Sequence, residues 1–92
     1  MYETELFKAL SDPVRLRIIE AIARKKGCVS VIGEKVGQRQ PNISQHLRVL
    51  RLAGVVEAIR EGKNVCYCLS DKRVLEVIKL ARKVRENDRP RA

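Results

Sequence analysis

The chain has 92 residues, of which 45% are hydrophobic and only 3% aromatic, so it can form one domain whose core consists of Val, Ile, Leu and Ala. Its 20 basic and 11 acidic side chains give a net charge of +9 at pH 7, which favours a polyanionic partner such as nucleic acid or an acidic membrane surface over a merely solubilising charge. The N-terminus is polar, which excludes a signal peptide. No apolar run reaches the ~20 residues that a membrane span needs, so the protein is expected to be cytoplasmic.

The first part of the chain predicts two helices separated by a break. A short helix is expected over Tyr2 to Leu10. The segment from Ser11 to Pro13 then ends it, because Ser11 or Asp12 can cap a new helix and proline suits its first position. We expect this second helix to run to about Lys26 and to stop at Gly27, with an apolar stripe formed by Val14, Ile18, Ile19, Ala21, Ile22 and Ala23.

Two further helices are predicted around a short turn. Cys28 and Val29 form a brief extended segment, and Ser30 is the expected N-cap of a third helix that ends near Gly37. After a turn over residues 38–40, a fourth helix begins at Pro41, ends around Ala53 and is stopped by Gly54. Its inward positions are expected to be Ile43, Leu47, Val49 and Leu50.

The remainder predicts a β-hairpin and a last helix. The β-rich segments from Val55 to Ile59 and from Val65 to Leu69 flank a polar turn over residues 60–64. Asp71 is the expected cap of the last helix, whose apolar positions are Val74, Leu75, Val77, Ile78, Leu80, Ala81 and Val84. So wide an apolar surface predicts burial on two sides, against the core and against a second subunit. The domain is expected to cover residues 1–86, followed by a polar tail over residues 87–92.

This order of elements, α-α-(short β)-α-α-β-β-α, predicts a mainly α fold with a small β-wing, a winged helix-turn-helix. The outward face of the fourth helix lacks acidic residues from Gln38 to Val56. Asn and Gln side chains can pair with adenine edges and Arg with guanine when such a helix enters the major groove. The DNA-binding residues predicted in the turn and the helix are Arg39, Gln40, Asn42, Ser44, Gln45, His46 and Arg48. For His46, a contact to the DNA backbone or a structural role is favoured over metal ligation. The wing tip is expected to contact phosphates or the minor groove through Arg60, Lys63 and Asn64.

Three segments resemble the ArsR/SmtB family of winged-helix repressors. They are "ALSDPVRLRIIEAI", "NISQHLRVLRLAGVV" and "REGKNVCYCL", and the resemblance covers the chain from about Leu6 to Val84. The resemblance implies a homodimer that forms through the first and last helices and binds double-stranded DNA at a palindromic operator. It also implies release of the DNA on ligand binding.

The three cysteines are a second candidate site, for metal or redox chemistry. Cys66 and Cys68 lie on one face of a strand, and the short strand at Cys28 is expected to pair beside it. The family's Cys-Val-Cys metal motif reads Cys28-Val29-Ser30 here, and the last helix lacks the histidine of another family site. Three interpretations stay open: small apolar strand residues, a disulfide that includes Cys28, or a thiolate site for a soft ion such as As(III), Cu(I), Cd(II) or Zn(II).

Other classes of function explain the sequence less well. A protein-interaction winged helix or a general DNA-coating protein without ligand sensing needs only Lys and Arg, not the Asn, Gln and Arg mixture of the fourth helix. An enzyme is disfavoured because the sequence has a single histidine, no glycine-rich phosphate loop and no recognisable Ser-His-Asp or paired-carboxylate arrangement. The sequence therefore predicts a homodimeric, sequence-specific transcriptional repressor, and the three interpretations of its cysteines leave open whether a metal, a metalloid or a thiol-redox signal releases the DNA.

Overall fold

The computed structural model describes residues 1–25 and 27–86. The predicted order of elements is confirmed: α1 (Tyr2–Leu10), α2 (Pro13–Arg24), β1 (Gly27–Cys28), α3 (Val29–Val36), α4 (Gln40–Leu52), β2 (Val56–Glu61), β3 (Asn64–Leu69) and α5 (Arg73–Glu86). No helix in this part of the chain has the length and apolar character needed to cross a membrane. The polar tail predicted over residues 87–92 lies outside the described residues, so the division of the chain at residue 86 stays a prediction.

The start of α2 is fixed by a carboxylate cap. Oδ1 of Asp12 accepts hydrogen bonds from the backbone N–H groups of Val14 (2.8 Å) and Arg15 (3.1 Å), while Pro13 occupies the first turn. The amide of Arg15, followed by that of Val14, lowers the pKa of the Asp12 carboxyl below its ordinary value because both stabilise the charged form. Of the two predicted caps, Asp12 is therefore the one used.

The predicted end of α2 at Gly27 is wrong. The helix ends at Arg24 and the backbone of Lys25 is extended, with a φ of −164°. Gly27 belongs instead to β1, where it pairs with Tyr67 of β3, so sheet pairing determines its conformation. Ala23, expected in the apolar stripe, is exposed because the helix ends beside it.

The N-terminus of α3 also differs from the prediction. Cys28 occupies the N-cap position, and Ser30 lies inside the first turn of the helix rather than before it. The helix ends as predicted at Gly37, whose φ of 76° is left-handed and favours glycine.

The core lies between the helices and one face of the sheet. Its fully buried side chains are aliphatic: Ile18, Ile19, Ile32, Ile43, Leu47, Leu50 and Val56. The inward positions predicted for α4 are thus confirmed at Ile43, Leu47 and Leu50. The prediction for Val49 is wrong, since its side chain is 40% exposed. Successive helical residues are rotated by about 100°, so Val49 cannot share the face of Leu47, which lies about 200° away.

The three strands form an antiparallel sheet in the order β1-β3-β2. The turn of the wing is shorter than the predicted 60–64, because Arg60 and Asn64 belong to the strands and Glu61 pairs with Asn64. Gly62, with a φ of 62°, therefore occupies the first central position of a two-residue turn, as in type II′ hairpins.

The last helix packs only partly on its own domain. Oδ1 of Asp71 accepts a hydrogen bond from the backbone N–H of Arg73 at 2.9 Å, which confirms the predicted cap. Val74 and Ile78 are buried in the core. Farther along, Arg82 forms an ion pair with Glu20 of α2, but Leu80 and Val84 are 63% and 79% exposed.

Candidate nucleic-acid interface

Helices α3 and α4 are joined by the three residues 37–39, and a glycine inside α3 allows the close turn. The carbonyl oxygen of Gly33 accepts hydrogen bonds from the N–H groups of Gly37 (2.8 Å) and Gln38 (3.0 Å). A Cβ atom on Gly33 would lie 2.8 Å from the carbonyl oxygen of Gln38, which is closer than such atoms approach. Gly33 therefore fixes the geometry of the helix-turn-helix. A glycine at an interior helical position was the sequence signal for it.

The polar face predicted on α4 is open to solvent. Its exposed members are Arg39, Gln40, Asn42, Ser44, Gln45 and Arg48. Arg39 is the N-cap residue, so the first backbone N–H groups of α4 point out of the same end of the helix and favour an anion. Near that end, Nδ2 of Asn42 donates to Oε1 of Gln38 at 3.3 Å. The exposed face of α4 and the turn before it thus carry several side-chain hydrogen-bond donors.

His46 differs from the other predicted contacts because it is half-buried. Its Nδ1 lies 3.3 Å from a guanidinium nitrogen of Arg15. The Nε and the second terminal nitrogen of Arg15 donate to the backbone oxygens of Ala9 (2.6 Å) and Lys8 (3.1 Å). Arg15 therefore connects the end of α1, α2 and the middle of α4. Of the two roles expected for His46, a contact to the DNA backbone or a structural role, these contacts favour the structural one. The sequence alone does not identify Arg15, because a basic residue on a helix gives no sign of its partners.

The second predicted contact region lies at the end of the hairpin. Arg60, Lys63 and Asn64 are all exposed, and the turn at Gly62 places them next to one another at the tip of the wing. Arg60 and Lys63 give the tip positive charge that suits phosphates.

The structure brings two of the three cysteines together. Cys28 and Cys66 are directly opposite partners in the antiparallel β1–β3 pair, which confirms that Cys28 lies close to Cys66. Cys68 of β3 is instead the direct partner of Glu57 on β2. Cys66 is buried and Cys28 is half-buried. No group of three or more His, Cys, Asp or Glu side chains suited to a metal ion occurs among residues 1–25 and 27–86.

The thiol of Cys28 has polar neighbours that stabilise its charged form. The Ser30 hydroxyl, 3.7 Å from Sγ, is the largest cause of a lowered pKa of Cys28, and the Val31 amide and the Cys66 thiol act in the same direction. Cys28 therefore has more thiolate character than an ordinary cysteine.

Comparison with known proteins decides which family has this arrangement. The family model described as "Bacterial regulatory protein, arsR family" matches residues 12–58, from the cap of α2 into β2. A helix-turn-helix transcriptional regulator from Methanocaldococcus jannaschii is 44% identical over 77 residues, which cover 83% of this chain and 86% of the relative.

The chain belongs to the ArsR family.

Two further proteins that resemble this ArsR-family chain have names that state an assembly or a regulated operon. The "homodimeric winged helix-turn-helix DNA-binding domain" from Mycobacterium bovis superposes with a TM-score of 0.83 at 28% identity, covering 92% of this chain and 79% of that domain. A "probable mercury resistance operon repressor" from Streptomyces lividans is 40% identical over 76 residues, or 83% of this chain and 61% of the repressor. The ArsR-family chain is therefore a DNA-binding transcriptional regulator and not an enzyme, as the sequence predicted.

Proposed function

We propose that this ArsR-family regulator is a homodimeric repressor that reads a palindromic operator with two copies of α4. The observation that carries the proposal is the exposed face of α4, which has amide, hydroxyl and arginine side chains and no acidic residue. In a two-fold symmetric dimer the two helices enter major grooves about one helical turn apart, roughly 34–36 Å. The operator is therefore expected to have half-sites about 10 base pairs apart, centre to centre.

The proposed contacts divide into those that specify sequence and those that position the protein. Asn42, Gln45 and Arg48 are proposed to read base edges, because Asn and Gln suit adenine and Arg suits guanine. Arg39, Gln40 and Ser44, close to the N-terminus of α4, are proposed to hold phosphates together with the backbone N–H groups. Arg60, Lys63 and Asn64 of the wing are proposed to contact the adjacent backbone or minor groove.

The proposed dimer interface uses α1 and α5. Phe7 of α1 is 58% exposed, and Leu80 and Val84 of α5 are also largely exposed. Between α1, α2 and α5 lies an open, mainly apolar groove lined by Phe7, Leu10, Leu16, Val77, Ile78, Ala81 and Arg82. A contiguous exposed apolar surface of this kind marks an interaction site. The homodimeric state named for the Mycobacterium bovis domain supports a second copy of the chain as the partner.

Selection of binding sites from a random duplex library tests the DNA proposal. We expect the wild-type protein to enrich a two-fold symmetric sequence. Arg48→Ala and Gln45→Ala should each lose about 1–3 kcal/mol of binding free energy and relax the preference at one symmetric position. Lys79→Ala on α5 is the matched control, because it removes an exposed charge outside α4 and the wing. Enrichment of unrelated sequences, or equal losses for all three variants, would contradict the proposal and favour a DNA-coating protein.

Sedimentation of the protein without DNA tests the dimer. Leu80→Glu places a charge in the proposed interface, and we expect it to convert the dimer to a folded monomer. Val65→Glu is the control, since Val65 is an exposed apolar residue of the wing strand β3. A wild-type protein that stays monomeric at micromolar concentration, or a Leu80→Glu variant that stays dimeric, would contradict the assignment.

The signal that releases the operator is proposed to act through the cysteines. The name of the Streptomyces lividans relative supports a soft metal ion as such a signal. The residues that the structure describes do not form a cluster of three ligands, so the three-thiolate site considered for As(III), Cu(I), Cd(II) or Zn(II) does not fit their arrangement. The arrangement of Cys28 and Cys66 suits a two-sulfur reaction instead.

A further inference from the structure

We propose that Cys28 and Cys66 form a reversible intramolecular disulfide when the protein meets a hydroperoxide, and that this bond joins the helix-turn-helix to the wing. The two residues are directly opposite partners on antiparallel strands. Cα atoms of such partners lie about 4.5 or 5.5 Å apart, depending on their place in the ladder. Both separations fall within the roughly 4.4–6.8 Å that a disulfide spans. Two opposite side chains also leave the sheet on the same face.

The same geometry disfavours the other two pairings. Cys68 is the diagonal neighbour of Cys28 across the strands, and diagonal neighbours in an antiparallel pair are about 7–8 Å apart, beyond the ordinary range of a disulfide. Cys66 and Cys68 are two residues apart on one strand, about 6.6–6.8 Å, at the upper limit of that range. Cys66 is thus the favoured partner for Cys28.

The two thiols also differ in accessibility and acidity, as expected when one thiol reacts with the oxidant and the other then reacts with the first. Cys28 is the more accessible of the pair, and its pKa is lowered by the Ser30 hydroxyl, with smaller contributions from the Val31 amide and the Cys66 thiol. Attack on an oxidant requires a thiolate that the oxidant can reach. Cys66 is buried, but it needs to reach only the sulfur of Cys28. Cys28 is therefore the attacking residue and Cys66 the resolving one.

The proposed reaction has two steps. The Cys28 thiolate attacks one peroxide oxygen, an S–O bond forms, the O–O bond breaks, and the alcohol or water leaves with a proton. The sulfur of Cys66 then attacks the resulting sulfenic acid, the S–S bond forms, the S–O bond breaks, and water leaves with the Cys66 proton. In total the two thiols lose two electrons and two protons, and one peroxide is reduced.

The position of the bond links two DNA-contacting parts of the molecule. Cys28 is the N-cap of α3, the first helix of the helix-turn-helix, and Cys66 lies in the strand that leads from the wing tip back to the domain. Closing the disulfide draws the two sulfurs to about 2.05 Å. The start of α3 thereby becomes covalently attached to the wing.

Mass spectrometry of the oxidised, full-length protein tests the proposal without reference to DNA. The reduced protein is treated with hydrogen peroxide under native conditions, alkylated and cleaved with chymotrypsin, which cuts after Tyr67 and so separates Cys66 from Cys68. We expect the Cys28 peptide to be linked to the Cys66 peptide, with Cys68 alkylated, and dithiothreitol to restore both thiols. Linkage to Cys68, a disulfide between chains, or Cys28 as a sulfinic acid beside an alkylated Cys66 would overturn the proposal.

Serine variants provide the matched controls. Cys68→Ser should form the same bond to the same extent as wild type, whereas Cys66→Ser should accumulate oxidised Cys28 without an intramolecular link. Circular dichroism establishes that each variant is folded before oxidation. A Cys68→Ser protein that is folded but does not form the bond would overturn the assignment. Because the readout is a chemical bond, its failure is distinct from a failure of the proposed operator binding.

Discussion

A guanidinium nitrogen of Arg15 lies 3.3 Å from Nδ1 of His46, so a side chain of α2 contacts the middle of α4. The same guanidinium also donates to the backbone oxygens of Ala9 and Lys8. Three elements of the domain therefore depend on one cation. This arrangement gives the half-buried His46 a role in positioning α4.

Replacing Arg15 should destabilise the domain. Hydrogen bonds that involve a charged group contribute about 1.5–3 kcal/mol each, and solvent reduces that value because Arg15 is only half-buried. We expect Arg15→Ala to lower the free energy of unfolding by about 1–3 kcal/mol in urea denaturation. Arg17→Ala, which removes an exposed arginine of the same helix, should change it by less than about 0.5 kcal/mol. Equal effects of the two substitutions would show that the Arg15 contacts contribute nothing specific.

Adding one methyl group at Gly33 should disturb the turn between α3 and α4. The new Cβ would lie 2.8 Å from the Gln38 carbonyl oxygen and 3.7 Å from a side-chain carbon of Ile43. The backbone oxygen cannot rotate away, so the turn itself must shift. We expect Gly33→Ala to cost about 1–3 kcal/mol of stability in thermal or urea unfolding, despite the better helix propensity of alanine. Lys35→Ala, at an exposed site of the same helix, is the control and should be nearly neutral.

The N-cap carboxylate of α2 should make stability depend on acidic pH. The Arg15 amide, and then the Val14 amide, hold the pKa of folded Asp12 below its ordinary value of 3.8. The ionised carboxylate is thus favoured in the folded state. The contribution of the carboxylate to the free energy of unfolding is complete above pH 3.8, the ordinary pKa. It is lost as the pH falls through the lowered pKa of the folded state. As the pH falls through this range, the free energy of unfolding in urea should decrease less steeply for Asp12→Asn than for wild type.

Comparison with an apolar substitution separates the cap from its charge. Asp12→Ala should lose about 0.5–2 kcal/mol at neutral pH, whereas Asp12→Asn should lose little, because asparagine caps nearly as well as aspartate. An Asp12→Asn variant whose free energy of unfolding falls as steeply at acidic pH as that of wild type would contradict the assigned role of the Asp12 charge.

The wing should contribute to DNA affinity through charge rather than sequence. If Lys63 contacts a phosphate, Lys63→Ala should reduce the slope of log affinity against log salt concentration by about 0.9 for each wing. The weakening should be similar for operator and unrelated DNA. Fluorescence anisotropy over a salt series measures the slope, with Lys79→Ala as the charge-matched control. An unchanged slope for Lys63→Ala would place the wing away from the phosphates.

The local features of this protein could be read from its residues. Asp12 and Pro13 determine where α2 begins, Gly37 determines where α3 ends, and the spacing of Ile43, Leu47 and Leu50 determines the buried face of α4. Each depends on backbone conformation or periodicity within a few residues. The family resemblance likewise extended over most of the chain, so the regulatory function could be predicted.

Only the tertiary structure decided features that depend on contacts between distant residues. Gly27 ends no helix because its backbone pairs with Tyr67, and Ser30 is no cap because α3 begins directly after that pairing. Arg15 acquires its role from His46, 31 residues away. Likewise, the sequence placed three cysteines on neighbouring strands, but the register of β1 and β3 decided that Cys28 faces Cys66. A one-residue shift in register would have placed their side chains on opposite faces of the sheet, and such pairing is determined by the packing of the whole domain.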